Sequence, residues 1–260
     1  MKILEITDPA QLAEIPVCAV IGKPEFEHVM HLLGLMWLYD GEPSADKPHA
    51  ELASGNHSNG FLDVGAAVKE HPDFRSVLAH HIVKDVVACR VSRIDGVFGA
   101  PTSSTALAGD IAEILGVAHY VLEKAGSDIV WSPGQDLVPA GARLLRAEEL
   151  MTTASSCLKA MAAIIAGNPG WEPNFYPAVF TIVDRHDPRE GALDVQGSAV
   201  VSLFRYPISN FNPEKCPYCV AGSKALKPKD HREIFFPPVK QGPPCSECGE
   251  HHRPDQECGG

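Results

Sequence analysis

The stretch "RLLRAEELMTTASSCLKAM", Arg143 to Met161, sets acids and hydroxyls where a strand gives way to a helix. An apolar run ends in two adjacent carboxylates, Glu148 and Glu149. Thr152, Thr153, Ala154, Ser155 and Ser156 follow, and a helical pattern begins. A helix N-terminus presents unpaired N–H groups and the positive end of the helix dipole. Hydroxyls around it make a cradle for phosphate. Carboxylates just before it could hold sugar hydroxyls, or Mg²⁺ through water. The same letters also describe an N-capped turn beside a solvated acidic pair, and spacing alone leaves both readings open.

A second loop of this kind is "VFGAPTSST", Val97 to Thr105, where Ala100, Thr102, Ser103 and Ser104 leave a short apolar strand. Farther along, "CPYC" (Cys216, Cys219) and "CSECGEHH" (Cys245, Cys248) form two CxxC pairs with 25 residues between Cys219 and Cys245. Four thiolates from two such pairs can hold a tetrahedral Zn²⁺. Independent pairs, the first a packing feature, are the alternative. Cys18, Cys89 and Cys157 lie in apolar contexts and are expected in the core.

The elements around these loops repeat. "DGVFGA" reads as a buried strand, "STALAGDIAEILG" as a helix ending at Gly116, and "VAHYVLE" and "ARLLRAE" as strands. "TASSCLKAMAAIIAG" reads as a helix ending at Gly167, with "AVFTIVD" and "SAVVSLFRY" as the last strands. Short apolar strands alternating with helices imply an α/β fold with a parallel sheet covered on both faces. In such sheets ligands lie beyond the carboxyl ends of the strands, where both loops fall. Upstream, "FEHVMHLLGLMWLYDG" spaces Phe26, Val29, Met30, Leu33, Met36 and Trp37 as one helix stopping at Gly41. "DFRSVLAHHIVKDVVACRV" reads as another, with Asp73 as its N-cap. The composition turns to Pro, Lys, Cys and His near Phe211, so residues 1–210 are expected as one domain and 211–260 as a tail.

The chain has 260 residues, 45% of them hydrophobic, and a formal net charge of −11. That supports one sizeable core and argues against a broad nucleic-acid face. No stretch approaches the ~20 apolar residues of a membrane span, and the N-terminus lacks the apolar run of a signal peptide. A cytoplasmic protein is expected, with its eight cysteines as thiols or metal ligands.

Several of these segments together resemble the type I phosphoribosyltransferases, most closely the orotate phosphoribosyltransferases. "LLRAEELMTTASS" resembles the family's ribose-phosphate signature. "HAELASGNHSNGFLDV" is similar to its N-terminal segment, "IDGVFGAPTSSTALAGDIAEILGV" to its pyrophosphate loop, and "CPYCVAGSKALKP" to the ending of one subgroup. The similarity runs in order from about Lys47 to Pro228. It implies a parallel sheet with an N-terminal hood, and transfer of ribose 5-phosphate from phosphoribosyl pyrophosphate to a nucleobase such as orotate, in pyrimidine synthesis. By resemblance, Thr152 to Ser156 would cradle the 5-phosphate, and Glu148 and Glu149 would face the ribose hydroxyls. Ala100 to Ser104 would line the pyrophosphate, Lys124 would neutralise it from a lid, and Mg²⁺ would ride on it. A symmetric homodimer is implied as well.

The chain departs from the family's pattern at Ala154-Ser155, where the family has Gly-Gly, at Glu149, where it has Asp, at Leu158, where it has an Arg, and at Asp128 in the lid. A Cβ at a left-handed position costs about 1 to 2 kcal/mol. Three readings follow: an orotate-type transferase, a protein of the same fold that binds a phosphoribosyl ligand without turnover, and a zinc-dependent interaction module.

Overall fold

The structure, a computed structural model, describes residues 2–237 apart from positions 92, 173, 188, 190 and 192. Two short 3-10 helices, Ile3–Glu5 and Pro9–Glu14, lead into α1, Lys23–Leu32. Glu25 closes its start by accepting from the Gly22 N–H at 3.0 Å. The helix stops at Gly34, whose φ of +67° suits glycine. The chain then enters β1, Met36–Leu38. Met36 and Trp37, expected on the helix, therefore pair antiparallel with Leu62 and Phe61. Strands β2 (His49–Glu51), β3 (His57–Ser58) and β4 (Gly60–Leu62) follow. Helix α2, Val64–Glu70, is capped by Asp63, which accepts from the Ala66 N–H at 3.0 Å. Helix α3, Pro72–Ala88, has His71 at the cap position and Asp73 inside its first turn. Proline, which needs no hydrogen-bond partner at the first helical position, starts it instead of an Asp cap.

The repeating half begins with β5, Gly96–Phe98, and α4, Ser103–Leu115, closed by left-handed Gly116. The segment expected as one strand splits into β6, Ala118–Tyr120, and β7, Leu122–Ala125. At Val121 the chain leaves its parallel partner β5 for an antiparallel one, and the Gln135 amide fills the gap: it accepts from the Val121 N–H at 3.0 Å and donates at 2.6 Å to the Val121 carbonyl, which also takes the Ser132 N–H at 3.3 Å. Strand β8, Asp128–Trp131, makes a hairpin with β7. Then come β9 (Leu144–Met151), α5 (Ser155–Gly167), β10 (Phe175–Asp184) and β11 (Ala199–Arg205). The last elements among the described residues are β12 (Asn210–Phe211), α6 (Pro217–Val220), β13 (Ala225–Leu226) and α7 (Arg232–Phe235).

The central sheet has the order β11-β10-β9-β5-β6 and is parallel throughout. One face packs on α3 and α4 through Val77, Leu78, Leu107 and Ile111, and the other on α5 through Cys157, Ala160 and Ile164. From β5 the chain runs outward to β6, while β9, β10 and β11 build outward on the other side. The boundary between β5 and β9 is thus the point where strand order reverses, the place where such sheets open a crevice at their carboxyl ends.

A second sheet, β12-β3-β2-β13, joins the N-terminal hood to the C-terminal segment. Phe211 pairs with His57, and Ala225 pairs in parallel with His49. Residues 211–237 are thereby held against the hood. Of the cysteines expected in the core, Cys157 is buried while Cys18 and Cys89 are exposed. Cys89 follows the end of α3 beside exposed Val87, and Cys18 lies in the turn before α1 between exposed Val17 and Val20, so the apolar letters around both face outward.

Candidate functional site

Strand β9 and helix α5 build the site from one continuous stretch. The N-terminus of α5 carries no side-chain cap: Ala154 occupies the cap position at φ +59°, ψ 0°. Thr153, Ser155 and Ser156 are exposed, and Thr152 is half-buried. The hydroxyls therefore surround an open helix end instead of closing it, and the capped-turn reading fails. A small pocket opens here, lined by residue 148 and residues 150–157. The alanine methyl sits in the left-handed conformation that the family's glycine would adopt without strain. It is buried in the α5-side core, which recovers part of that cost.

The N-terminus of α4 is also free of a side-chain cap, with Thr102 at the cap position. Thr102 is exposed, while Ala100 and Ser104 are buried. The backbone passes close at Gly99, where a Cβ would stand 2.6 Å from the carbonyl oxygens of Ala147 and Ser104. Only glycine lets β5 hand over to α4 against β9 in this way.

Between these helix ends lies the acid pair. The Ala100 N–H donates to Glu148 Oε1 at 3.2 Å, and Ser104 Oγ lies 2.7 Å from Glu148 Oε2. Ser104 Oγ also bonds Glu149 Oε2, and it accepts from the Glu149 N–H at 3.2 Å. A hydroxyl has one proton to give. With a carboxyl on each side of it, the arrangement favours a proton on one of the two acids. The electrostatics agree. Burial, then the Glu149 charge, pushes the Glu148 pKa up to about 8. Burial also raises that of Glu149. The hood closes over the pair at α2, where a Cβ on Gly65 would meet Ser103 Oγ at 2.8 Å and Glu149 Oε1 at 3.6 Å.

Beneath Glu148, two residues back on the same face of β9, lies Arg146, fully buried. It donates to the Tyr176 carbonyl at 2.9 Å and to Met161 Sδ at 3.0 Å, and it bonds Ser198 Oγ. Its charge pulls the Glu148 pKa down, though less than burial raises it. Arg146 carries a signal in the sequence too: an arginine inside an apolar strand is a charge that has to find acceptors. His186 braces the 152–156 loop from behind: its Nδ1 lies 3.2 Å from the Thr152 carbonyl and its Nε2 lies 2.7 Å from that of Gly191.

Lys124 stands apart from these groups. It is exposed near the tip of the β7–β8 hairpin, with Asp128 on the facing strand. Lys159, next to Leu158 on α5, donates from Nζ to the Ser127 carbonyl at 2.8 Å and ties the tip to that helix. Cys216 and Cys219, in the C-terminal segment, lie against the hood beside His49 and His57. Cys245 and Cys248 fall outside the described residues. Two hood residues from the segment that resembles the family's N-terminal one are engaged with the protein itself: His57 faces Cys219, and Ser58 Oγ donates to the Ser209 carbonyl at 2.8 Å.

No protein-family model matches the chain. Curated relatives do. The orotate phosphoribosyltransferase of Pelotomaculum thermopropionicum is 27% identical over 180 residues, 69% of this chain and 87% of that protein. The one from Acidithiobacillus ferrooxidans is 27% identical over 191 residues, covering 74% and 93%. That of a Sulfurovum strain is 29% identical over 190 residues, covering 69% and 90%. The chain resembles the orotate phosphoribosyltransferases. A solved Mycobacterium tuberculosis orotate phosphoribosyltransferase in complex with inorganic phosphate shares 20% identity with a TM-score of 0.46, over 76% of this chain and 95% of that one. Among the described residues, no helix is long and apolar enough to cross a membrane.

Proposed function

We propose that the chain is an enzyme of pyrimidine nucleotide synthesis, a phosphoribosyltransferase that moves ribose 5-phosphate from phosphoribosyl pyrophosphate to a nucleobase, with orotate the first candidate base. The observation that carries this reading is the uncapped start of α5 directly after a buried acid pair, at the point where strand order reverses. In the reaction the bond from the sugar carbon to pyrophosphate breaks, and a base nitrogen takes its place. The carbon becomes cation-like on the way, so the protein's task is to position, to neutralise charge and to exclude water. Residues 152–156 would hold the 5-phosphate through N–H groups and hydroxyls. Glu148 and Glu149 would accept from the ribose hydroxyls, the loop of Ala100 to Ser104 would line the pyrophosphate, and Lys124 would meet it as the hairpin closes. Mg²⁺ would enter with the pyrophosphate; carboxylates and hydroxyls are the hard oxygen donors it prefers. A cytoplasmic homodimer is part of the same reading.

The second reading, a binder without turnover, draws on specific features. Ser104 is committed to both acids, Ala154 keeps a Cβ at a left-handed position, and Asp128 places a negative charge near Lys124. One experiment separates the two. Pyrophosphate release is followed with phosphoribosyl pyrophosphate, Mg²⁺ and a panel of bases led by orotate. Turnover supports the transferase. No release with any base, together with a ligand-induced rise in melting temperature, rules out the transferase and leaves the binder.

A further inference from the structure

Four side chains converge on one point where the hood meets the C-terminal segment, with nothing in the proposed reaction to explain them. His49 and His57 come from the neighbouring strands β2 and β3, and Cys216 and Cys219 from the turn that starts α6. Their ligand atoms all lie within 4.8 Å of one another. His49 Nε2 is 3.1 Å from His57 Nδ1, 3.5 Å from Cys216 Sγ and 3.6 Å from Cys219 Sγ, and Cys219 Sγ is 3.2 Å from His57 Nδ1. A tetrahedral zinc with two imidazoles and two thiolates sets its nitrogens roughly 3.3 Å apart and each nitrogen roughly 3.6 Å from each sulfur, from the usual bond lengths. The edges present fall within about 0.4 Å of that figure.

The hydrogen bonds behind His49 fix which of its nitrogens faces the cluster as a lone pair. Ser223 Oγ donates its proton to the Lys47 carbonyl at 2.6 Å. Its contact with His49 Nδ1, at 2.8 Å, must then be one in which Nδ1–H donates. Nε2 is left without a proton and aimed at both sulfurs. A backing acceptor of this kind is the usual support of a metal-bound histidine. His49 and Cys216 are fully buried, His57 nearly so, and Cys219 stands at the rim. Tyr218 stacks on His49 with ring centroids 5.4 Å apart and walls the site.

We propose that His49, His57, Cys216 and Cys219 form a structural Zn²⁺ site that fastens the C-terminal segment to the hood. Soft thiolates with imidazoles in a tetrahedral array suit zinc among the common divalent ions. Four protein ligands close the coordination sphere, so the metal has no open position for chemistry. The elements it joins need such help: β3, β12 and β13 have two residues each and α6 has four. Strands this short do not hold together by pairing alone. The fastening bears on the candidate active site too, because the same segment supplies Lys229, whose Nζ meets Asp63 Oδ2 at 2.7 Å at the start of α2, the helix over the acid pair.

The arrangement makes the second CxxC pair dispensable for this metal, which is the point to test. The untagged full chain and its Cys245→Ser/Cys248→Ser variant are purified, and zinc content and zinc X-ray absorption are measured. The variant is expected to keep about one zinc per chain, with two sulfur and two nitrogen neighbours. Zinc absent from the wild-type chain, or lost in this variant, overturns the proposal. So does a shell of four sulfurs. Zinc removal by a chelator should also lower the melting temperature, and an unchanged melting curve after its loss would refute the structural role.

Discussion

Replacing Glu148 with Gln should stabilise the protein while weakening its grip on a sugar. Glu148 is buried at the end of β9, and its pKa rises from the ordinary 4.5 to about 8, chiefly through burial and next through the Glu149 charge. Between those values the folded protein keeps a proton that the unfolded chain has released. Its stabilising effect is fully present below about pH 4.5 and is lost as the pH rises through about 8. The loss runs at about 1.4 kcal/mol for each pH unit, which makes roughly 3 kcal/mol by pH 7. Gln does not ionise. Its carbonyl can still accept from the Ala100 N–H, and its amide can donate to Ser104 Oγ, the two bonds that Glu148 makes now. The variant should therefore exceed the wild type by up to roughly 3 kcal/mol at pH 7, and by less than about 1 kcal/mol at pH 5. Urea unfolding across this range reads the difference directly. A variant no more stable than the wild type near neutral pH, or an advantage that does not grow with pH, would refute the reasoning that Glu148 sits protonated beside Ser104. A marginally destabilised acid pair is also what a binding site would show, since sites built for a ligand are rarely the most stable arrangement without it.

Ala154→Gly relieves a left-handed alanine but gives up a buried methyl, so a net gain of roughly 0.5 kcal/mol is expected, or about 1 to 2 °C in melting temperature. Isothermal titration with phosphoribosyl pyrophosphate should show binding no weaker than in the wild type; weaker binding would mean that the methyl itself shapes the loop. Lys124 is exposed, so Lys124→Ala should leave unfolding within about 0.5 kcal/mol of the wild type. If Lys124 meets the departing pyrophosphate, steady-state kinetics should show kcat falling by about 100-fold, and an unchanged kcat would remove it from the proposed reaction.

Much of this protein was legible in its sequence where the signal is local. The α4 and α5 patterns end at Gly116 and Gly167 because apolar spacing and helix-ending residues act over a few neighbours. The strand–loop–helix order around Glu148 and Glu149 could be read for the same reason. Where a distant group intervenes, the local pattern misleads. A change of partner from β5 to β8 at Val121 splits one expected strand into two, and the pairing of Met36 with Leu62 turns an expected helix end into a strand. The capped-turn alternative could not be dismissed from letters, because a Thr or Ser near a helix start either closes it or stands open depending on the backbone angle at Ala154.

The sequence by itself determined the alternation of strands and helices, the two loops that follow β5 and β9, and which residues could carry charge or bind metal. Tertiary structure alone decided how those residues are partnered. It placed one serine hydroxyl between two carboxyls, and it buried Arg146 beneath them. It also brought two histidines from the hood to Cys216 and Cys219, across more than 150 residues of chain. Periodicity reports which face of an element is apolar, but an electrostatic or metal site depends on which elements meet, and that is set only when the sheet and hood have packed.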